Sequence, residues 1–157
     1  MSTSEFRLQN GDSAPEFSLL DQNGNSLSLV DLRGQKSIIY FYPAAGSPGC
    51  SKEAADFQDA LNDFESLGYR VVGISPDPVA KLKEFEDSHN LTFTLLSDPE
   101  IEAHKAYGAF GDKTLYGRFY RGVLRSTIVI DENQIVTHAL YNVKATGHTK
   151  MLLRLLA

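Results

Sequence analysis

Residues 37–57, SIIYFYPAAGSPGCSKEAADF, show how the central part of the chain folds. The six residues from Ser37 to Tyr42 form an apolar, β-rich run that is typical of a strand covered on both faces. Pro43 ends this run, and a loop of small residues follows. From Cys50 onward, apolar side chains recur every three or four positions as far as Gly68, which indicates one buried face of a helix. The stretch therefore predicts a buried strand, a tight loop and a helix.

The rest of the sequence extends this unit to an α/β sandwich with a mixed central sheet. A hairpin is predicted around Asn23-Gly24. Further strands are predicted at 70–75, 93–96, 126–130 and 135–140, and further helices at 79–88, 99–107 and 148–156. Residues 107–121, rich in Gly and Tyr, are expected to be irregular, and residues 1–10 to be a flexible tail on a single domain spanning 1–157. This order of elements is compatible with a thioredoxin-like fold that carries an N-terminal hairpin.

The composition narrows the classes of function. The chain has 157 residues, which suits one domain with one sizeable core. Its net charge of -5 argues against nucleic acid as a partner, because phosphate binding needs a basic face. No apolar run approaches the roughly 18–20 residues that a membrane-spanning helix needs. The first residues contain no apolar signal core, so we expect a cytoplasmic location and no membrane partner.

The chain contains a single cysteine, Cys50, so an internal disulfide is excluded. Pro48 suits the first position of a helix and Ser47 its N-cap, which places Cys50 in the first turn. There the sulfur would meet unpaired N–H groups and the positive end of the helix dipole, which favour the nucleophilic thiolate. A lone cysteine on an apolar helix face is also typical of a structural core residue. From these residues alone, both interpretations stay open.

The histidines and one aromatic loop suggest no other chemistry. The four histidines (His89, His104, His138 and His148) have no ligand spacing, so we expect surface or helix-end positions and no metal site. Residues 116–122 mix aromatic side chains with arginines. In an acidic chain, we expect this loop to pack its rings over the active site rather than to stack on single-stranded nucleic acid.

Pro43, Ser47 and Cys50 form the pattern P-x-x-x-S-x-x-C, which resembles the active-site motif of the peroxiredoxins. The later segments GISPDP, LRSTIVID and NVKATGH are similar to the Q-type branch, also called the bacterioferritin comigratory protein branch. The resemblance covers about residues 11–156. It implies a thioredoxin-like, thiol-dependent peroxidase that reduces hydrogen peroxide and organic hydroperoxides as an antioxidant defence.

By position, the resemblance implies roles for five residues. Cys50 corresponds to the peroxidatic cysteine, Ser47 to a hydroxyl that hydrogen-bonds the peroxide, and Pro43 to a shield that keeps water from the thiolate. Arg125 corresponds to an arginine that faces the sulfur, and Glu53 to a carboxylate that orients this arginine. A permanent positive charge suits the reaction, because negative charge develops on the leaving oxygen. Without the resemblance, a solvent-facing position is the commoner fate of an arginine such as Arg125, and Glu53 fits a solvated helix face as well as it fits the site.

The sequence departs from the Q-type pattern at the resolving cysteine. Many members carry this second cysteine five residues after the first, where this chain has Ala55, and the helix at 79–88 has none either. Oxidised Cys50 would therefore be a sulfenic acid that an external thiol must reduce. The expected reductant is thioredoxin, glutaredoxin or a low-molecular-weight thiol, with no bound cofactor and a monomeric or dimeric enzyme. The alternative is a peroxide-sensing switch or binding protein without efficient turnover.

Overall fold

A computed structural model describes residues 6–115 and 117–157 of the chain. Its strands are β1 (Ser18–Asp21), β2 (Ser26–Ser28), β3 (Lys36–Phe41), β4 (Tyr69–Ser75), β5 (Thr94–Ser97), β6 (Phe110–Leu115), β7 (Arg118–Val123), β8 (Ser126–Ile130) and β9 (Val136–Leu140). Its helices are α1 (Pro48–Asp59), α2 (Leu61–Ser66), α3 (Val79–His89), α4 (Glu102–Ala106) and α5 (His148–Leu156), with a 3-10 turn at Leu29–Leu32.

Seven strands form one mixed sheet in the order β2-β1-β5-β4-β3-β8-β9, and β6 pairs separately with β7. Strand β3 lies inside this sheet, parallel to its neighbour β4 and antiparallel to its other neighbour β8. Because side chains alternate along a strand, Ile38 and Tyr40 enter the core that contains Cys50, whereas Ile39 and Phe41 enter the core on the opposite face. The strand is thus covered on both faces, and the predicted mixed α/β fold is confirmed.

Two predicted elements differ from the structure. The helix predicted from residue 50 to 67 is divided at Ala60 into α1 and α2. The expectation of an irregular segment over 107–121 is wrong, because β6 and β7 form an antiparallel hairpin there. Gly117, with φ of 76°, adopts the left-handed conformation that favours glycine in a tight turn. Phe119 in this hairpin is 82% exposed, so its ring does not pack over the active site; Tyr116 lies outside the described residues.

The N-terminal segment is held to the core from Leu8 onward, which differs from the flexible tail predicted for residues 1–10. Leu8 is 5% exposed and packs in the same core as Phe41. Its backbone N–H donates to the hydroxyl of Tyr141 at 2.9 Å, and the N–H of Gly11 donates to the carbonyl of Val136 at 2.8 Å. Residues 1–5 lie outside the described part of the chain. A single leucine in a polar stretch carries no periodicity from which its burial could be predicted.

Two of the four histidines are buried, so the expectation of surface positions is wrong for them, although His148 does lie at a helix end. His104 is fully buried, and its Nδ1 lies 2.6 Å from Oδ2 of Asp98. His148 begins α5 and is 4% exposed. Within residues 6–115 and 117–157, no group of three or more His, Cys, Asp or Glu side chains could hold a metal ion. None of the helices in that part of the chain is long and apolar enough to cross a membrane.

The packing of Leu8 gives a direct test of the N-terminal segment. We expect Leu8→Ala to lower the free energy of unfolding by about 2–3 kcal/mol, because it removes a buried side chain and leaves a cavity. The matched control is Leu20→Ala, at a leucine that is 47% exposed, and it should cost less than about 1 kcal/mol. Urea unfolding of both variants measures the difference. Equal, small losses would show that the segment is not packed.

Candidate active site

The first turn of α1 positions Cys50. Ser47 is the N-cap, with φ of −69° and ψ of 153°, and Pro48 is the first helical residue, as the sequence predicts. The hydroxyl oxygen of Ser47 accepts a hydrogen bond from the backbone N–H of Cys50 at 3.4 Å. This bond satisfies one of the free N–H groups of the helix start. Since its oxygen is the acceptor in that bond, the Ser47 hydroxyl keeps its own proton available for a further acceptor.

The loop that precedes α1 is tied to the end of β4. The backbone N–H of Ala45 donates to Oδ2 of Asp77 at 2.6 Å, and the hydroxyl of Ser75 donates to the same oxygen at 2.9 Å. Pro43 lies half-buried in this loop, directly after the buried Tyr42. Asp77 thus fixes the backbone of the loop between β3 and the N-cap residue Ser47. No local pattern indicated a role for Asp77, although it follows the strand within the segment GISPDP.

Arg125 connects the cysteine to a buried carboxylate. It lies immediately before β8, the strand beside β3. One guanidinium nitrogen, Nη2, lies 3.4 Å from Sγ of Cys50, and the other, Nη1, donates to Oε1 of Glu53 at 2.6 Å. The Arg125 side chain is 17% exposed and that of Glu53 is 0% exposed. The structure therefore brings Cys50, Arg125 and Glu53 together, and places neither charged residue in a solvent-facing position.

The burial of Glu53 changes its acidity. Loss of solvation raises the pKa of this carboxyl to about 7, against the opposing effect of the Arg125 charge. Its second oxygen, Oε2, is buried without a hydrogen-bond partner among the described residues. The carboxylate therefore changes charge near neutral pH, and its ion pair with Arg125 is strongest above that range.

The loop between β9 and α5 covers the arginine from the other side. The backbone N–H of Val143 donates to the carbonyl oxygen of Arg125 at 3.0 Å. Gly49 lies under this loop: a Cβ at that position would be 3.5 Å from Nη2 of Arg125 and 3.7 Å from Cβ of Ala145. Gly49 and Ala145 are small, so the guanidinium can approach the start of α1 closely.

His148 is a further neighbour of the site, and no sequence pattern indicated it. Its Nε2 lies 2.8 Å from the hydroxyl of Thr127, two residues after Arg125, and this contact joins α5 to β8. Burial and the Arg125 charge lower the pKa of His148 to about 4, so the ring is neutral at pH 7. The segment NVKATGH ends at this residue, but the scattered spacing of the histidines gave no reason to place it here.

Two buried tyrosines complete the core around Cys50. Tyr40 stacks on Tyr42 and on Phe57, with ring centroids 5.3 and 4.4 Å apart. Both tyrosine hydroxyls are buried without a hydrogen-bond partner in the described part of the chain. Burial raises the pKa of Tyr40 well above its usual value, so the residue is neutral. Cys50 is itself 1% exposed in this aromatic core, so its thiol is both buried and in contact with a cation.

The acidity of Glu53 predicts a pH-dependent effect of its removal. We expect Glu53→Gln to slow the oxidation of Cys50 by hydrogen peroxide by about tenfold at pH 8, because a misplaced arginine stabilises the reaction poorly. Below about pH 6 the wild-type carboxyl is protonated, since its pKa is about 7, and the two rates should converge. Stopped-flow rates from pH 5.5 to 8.5 measure this ratio. A ratio that does not change with pH would contradict the assigned burial of the carboxyl.

Comparison with known proteins identifies the family of the chain. Residues 10–139 match the model of the AhpC/TSA family. A protein named as a peroxiredoxin in Mycobacterium tuberculosis is 54% identical over 152 residues, covering 97% of each chain. Peroxiredoxin Bcp of Escherichia coli is 37% identical over 146 residues, covering 93% of this chain and 94% of its own.

Solved structures give the same result. A Xylella fastidiosa PrxQ mutant superposes with a TM-score of 0.88 at 30% identity, covering 96% of each chain. The Xanthomonas campestris bacterioferritin comigratory protein, whose structures concern alkyl peroxide reduction, superposes with a TM-score of 0.84 at 30% identity over 89% of each chain. Thiol-dependent peroxide reduction is the activity to which these relatives point. The chain therefore belongs to the AhpC/TSA family, within its Q-type, or bacterioferritin comigratory protein, branch of peroxiredoxins, and it has a single cysteine.

Proposed function

We propose that this chain is a one-cysteine peroxidase that reduces hydrogen peroxide and organic hydroperoxides at Cys50 and is recycled by an external thiol. The observation that carries the proposal is the position of Arg125, whose guanidinium contacts both the sulfur of Cys50 and the buried carboxylate of Glu53. A guanidinium held beside the sulfur can donate to the peroxide oxygens and stabilise the negative charge that develops on them. A merely structural cysteine in an apolar core has no need of a buried cation.

In the first step, the Cys50 thiolate attacks one oxygen of the peroxide along the O–O axis. A sulfur–oxygen bond forms, the O–O bond breaks, and the second oxygen leaves as hydroxide or alkoxide and takes up a proton. Cysteine sulfur is oxidised to sulfenic acid, and the peroxide is reduced to water or an alcohol. Arg125 stabilises the negative charge that develops on the oxygens, because its charge is already in place before the reaction begins.

Ser47 and the loop before it have supporting roles in this proposal. The free proton of the Ser47 hydroxyl suits a hydrogen bond to the peroxide, while its oxygen holds the backbone of Cys50. Pro43 offers no N–H group and covers the approach with its ring, which limits the access of water. Glu53 contacts the arginine and not the sulfur, so it acts as a positioning residue.

In the second step, an external thiol attacks the sulfur of the Cys50 sulfenic acid and forms a mixed disulfide, and water leaves. A second thiol then releases Cys50 as thiolate and carries away the disulfide. The chain cannot provide the resolving thiol itself, because Cys50 is its single cysteine. A cytoplasmic pool of thioredoxin, glutaredoxin or small thiols fits this requirement, and no bound cofactor is needed for either step.

The test of the proposal is the rate at which hydrogen peroxide oxidises Cys50. We expect a second-order rate constant at least about a hundredfold above that of a free thiolate, because removal of one charge-stabilising donor typically costs about 100- to 1,000-fold. Arg125→Ala should lose most of this acceleration, and Ser47→Ala should be about tenfold slower. The matched control is Arg121→Ala, at an exposed arginine paired with Asp112, and it should not change the rate.

Circular dichroism of each variant checks that the fold is intact, because Ser47 also caps α1. A rate constant for Cys50 oxidation close to that of a free thiolate would contradict the peroxidase proposal and favour the alternative of a peroxide-sensing switch. Unchanged rates in both Arg125→Ala and Ser47→Ala would show that the site has been assigned to the wrong residues. Mass spectrometry after peroxide and one equivalent of thiol should show the mixed disulfide at Cys50.

A further inference from the structure

The loop at residues 43–47, which leads into α1, is held to the rest of the fold through Asp77. The backbone N–H of Ala45 donates to Oδ2 of Asp77 at 2.6 Å, and Ala45 is 4% exposed. A second backbone hydrogen bond, from the N–H of Ser47 to the carbonyl of Ala44 at 3.3 Å, stays within the loop. In the part of the chain that the structure describes, the bond to Asp77 is therefore the hydrogen bond that joins this loop to a segment other than α1.

Asp77 is itself anchored by two neighbouring strands. Its Oδ2 accepts a second hydrogen bond, from the hydroxyl of Ser75 at 2.9 Å, and its backbone N–H donates to that hydroxyl oxygen at 3.3 Å. Its carbonyl oxygen accepts a hydrogen bond from the hydroxyl of Ser97 at 2.5 Å. Ser75 and Ser97 are buried, and they end the paired strands β4 and β5. The acceptor is therefore fixed, and any opening of the contact with Ala45 is a movement of the loop.

The loop has conformational freedom and open space directly after Ala45. Gly46 has φ of 90°, in the left-handed region that glycine adopts at no steric cost, and a Cβ at this position would have no atom within 4 Å. A hollow of about 80 Å³ lies between the loop and α3, where Lys81 and Phe85 line it. The outer side of the loop is therefore not enclosed by neighbouring side chains, and the hydrogen bond to Asp77 is what keeps the loop in place.

The two proposed half-reactions make opposite demands on this loop. In the attack on peroxide, Pro43 and Ser47 have to stay beside the start of α1, where the Ser47 hydroxyl oxygen holds the backbone N–H of Cys50. In the reduction, a thiol larger than hydrogen peroxide has to reach the sulfur of Cys50, a residue that is 1% exposed. The loop is therefore closed in the first half-reaction and displaced in the second, and the bond from Ala45 to Asp77 is intact only in the first.

We propose that Asp77 is a positioning residue for both half-reactions: it holds the loop at residues 43–47 closed for the attack on peroxide, and release of Ala45 from Asp77 admits the reducing thiol. Asp77 acts through the backbone of Ala45 and not through a contact with the sulfur. In the reduction, the thiol sulfur attacks the Cys50 sulfenic acid, an S–S bond forms, the S–O bond breaks and water leaves. The kinetic role of Asp77 rests on the proposed peroxidase function, whereas the closure of the loop by Asp77 does not.

The variant Asp77→Ala leaves the N–H of Ala45 without its acceptor. We expect oxidation of Cys50 by hydrogen peroxide to become about fivefold slower, and reduction of the Cys50 sulfenic acid by glutathione to become about tenfold faster, as the loss of a hydrogen bond to a charged group implies. Asp77→Asn keeps an acceptor oxygen at the same position, so both rates should return to within about twofold of the wild-type values. Stopped-flow measurements of each half-reaction alone, with the protein first oxidised by one equivalent of peroxide for the second, give these rates.

The matched control for a merely structural effect is Asp131→Ala. Oδ1 of Asp131 also accepts two hydrogen bonds, from the backbone N–H groups of Asn133 and Ile135, in the turn after β8 and at the opposite end of this strand from Arg125. Its removal should lower the stability of the fold but leave both half-reactions unchanged. An oxidation rate that does not fall in Asp77→Ala, a reduction rate that does not rise, or the same changes in Asp131→Ala would overturn the proposal.

Hydrogen exchange of the Ala45 amide in the reduced protein measures the closure of the loop without any redox step. Since this N–H is released when the loop moves, its protection factor should be at least about tenfold lower than that of Ile39 in β3, and about tenfold lower again in Asp77→Ala. Equal protection of Ala45 and Ile39 would contradict a loop that moves on its own. If Cys50 reacts with peroxide no faster than a free thiolate, the peroxidase proposal fails, and the exchange experiment still decides whether Asp77 holds the loop.

Discussion

The contact of the Arg125 guanidinium with both Cys50 and Glu53 is the interaction on which the site depends. The burial of an ionised carboxylate costs free energy, and a cation held close to the carboxylate compensates for that cost. Arg125 offsets part of that cost at 2.6 Å, and its second terminal nitrogen lies 3.4 Å from Sγ of Cys50. One guanidinium makes both contacts. The position of the Glu53 carboxylate therefore fixes the position of the Arg125 guanidinium beside the Cys50 sulfur. In the proposed reaction, the packing of Glu53 and the chemistry at Cys50 are therefore coupled through this one side chain.

The sheet topology makes that contact possible across a long stretch of chain. Cys50 and Arg125 are separated by 75 positions in sequence. Strand β3 leads into the loop before α1, and β8, which begins directly after Arg125, is its antiparallel neighbour. Two hydrogen bonds from backbone N–H groups then hold the surrounding loops. Ala45 donates to the carboxylate of Asp77, and Val143 donates to the carbonyl oxygen of Arg125. The candidate active site thus lies where separate loops meet, at the end of β3 and the start of β8, two neighbouring strands inside the sheet.

Helix-capping preferences predicted the part of the site whose structure depends on residues adjacent in sequence. Ser47 and Pro48 predicted the start of α1, and the structure confirms it. Secondary-structure propensity could not predict the contact between Cys50 and Arg125, because this contact depends on which strands pair. The resemblance to a known motif predicted it. The same resemblance suggested Glu53, whose burial the helical spacing alone could not distinguish from exposure on α1. Local residues therefore predicted the start of α1, whereas the charged neighbours of Cys50 came from the resemblance.

The features that were missed share a physical cause. Leu8, Asp77 and His148 are each isolated polar or apolar residues whose role comes from a distant partner, and periodicity carries no information about such contacts. The β6–β7 hairpin was missed because its Gly- and Tyr-rich sequence lacks the strict alternation of a strand with one buried face. The break between α1 and α2 falls within a continuous helical pattern, so spacing alone could not reveal it.

The most direct test of the account is a double-mutant cycle on the rate of Cys50 oxidation by hydrogen peroxide, with Arg125→Met and Glu53→Gln made singly and together at pH 8. If Glu53 acts by holding Arg125, the glutamine substitution slows the wild-type reaction but adds nothing once the arginine is gone. The double variant then reacts at the rate of Arg125→Met. If Glu53→Gln slows the reaction by the same factor in both backgrounds, the two side chains act independently, and the central claim is contradicted.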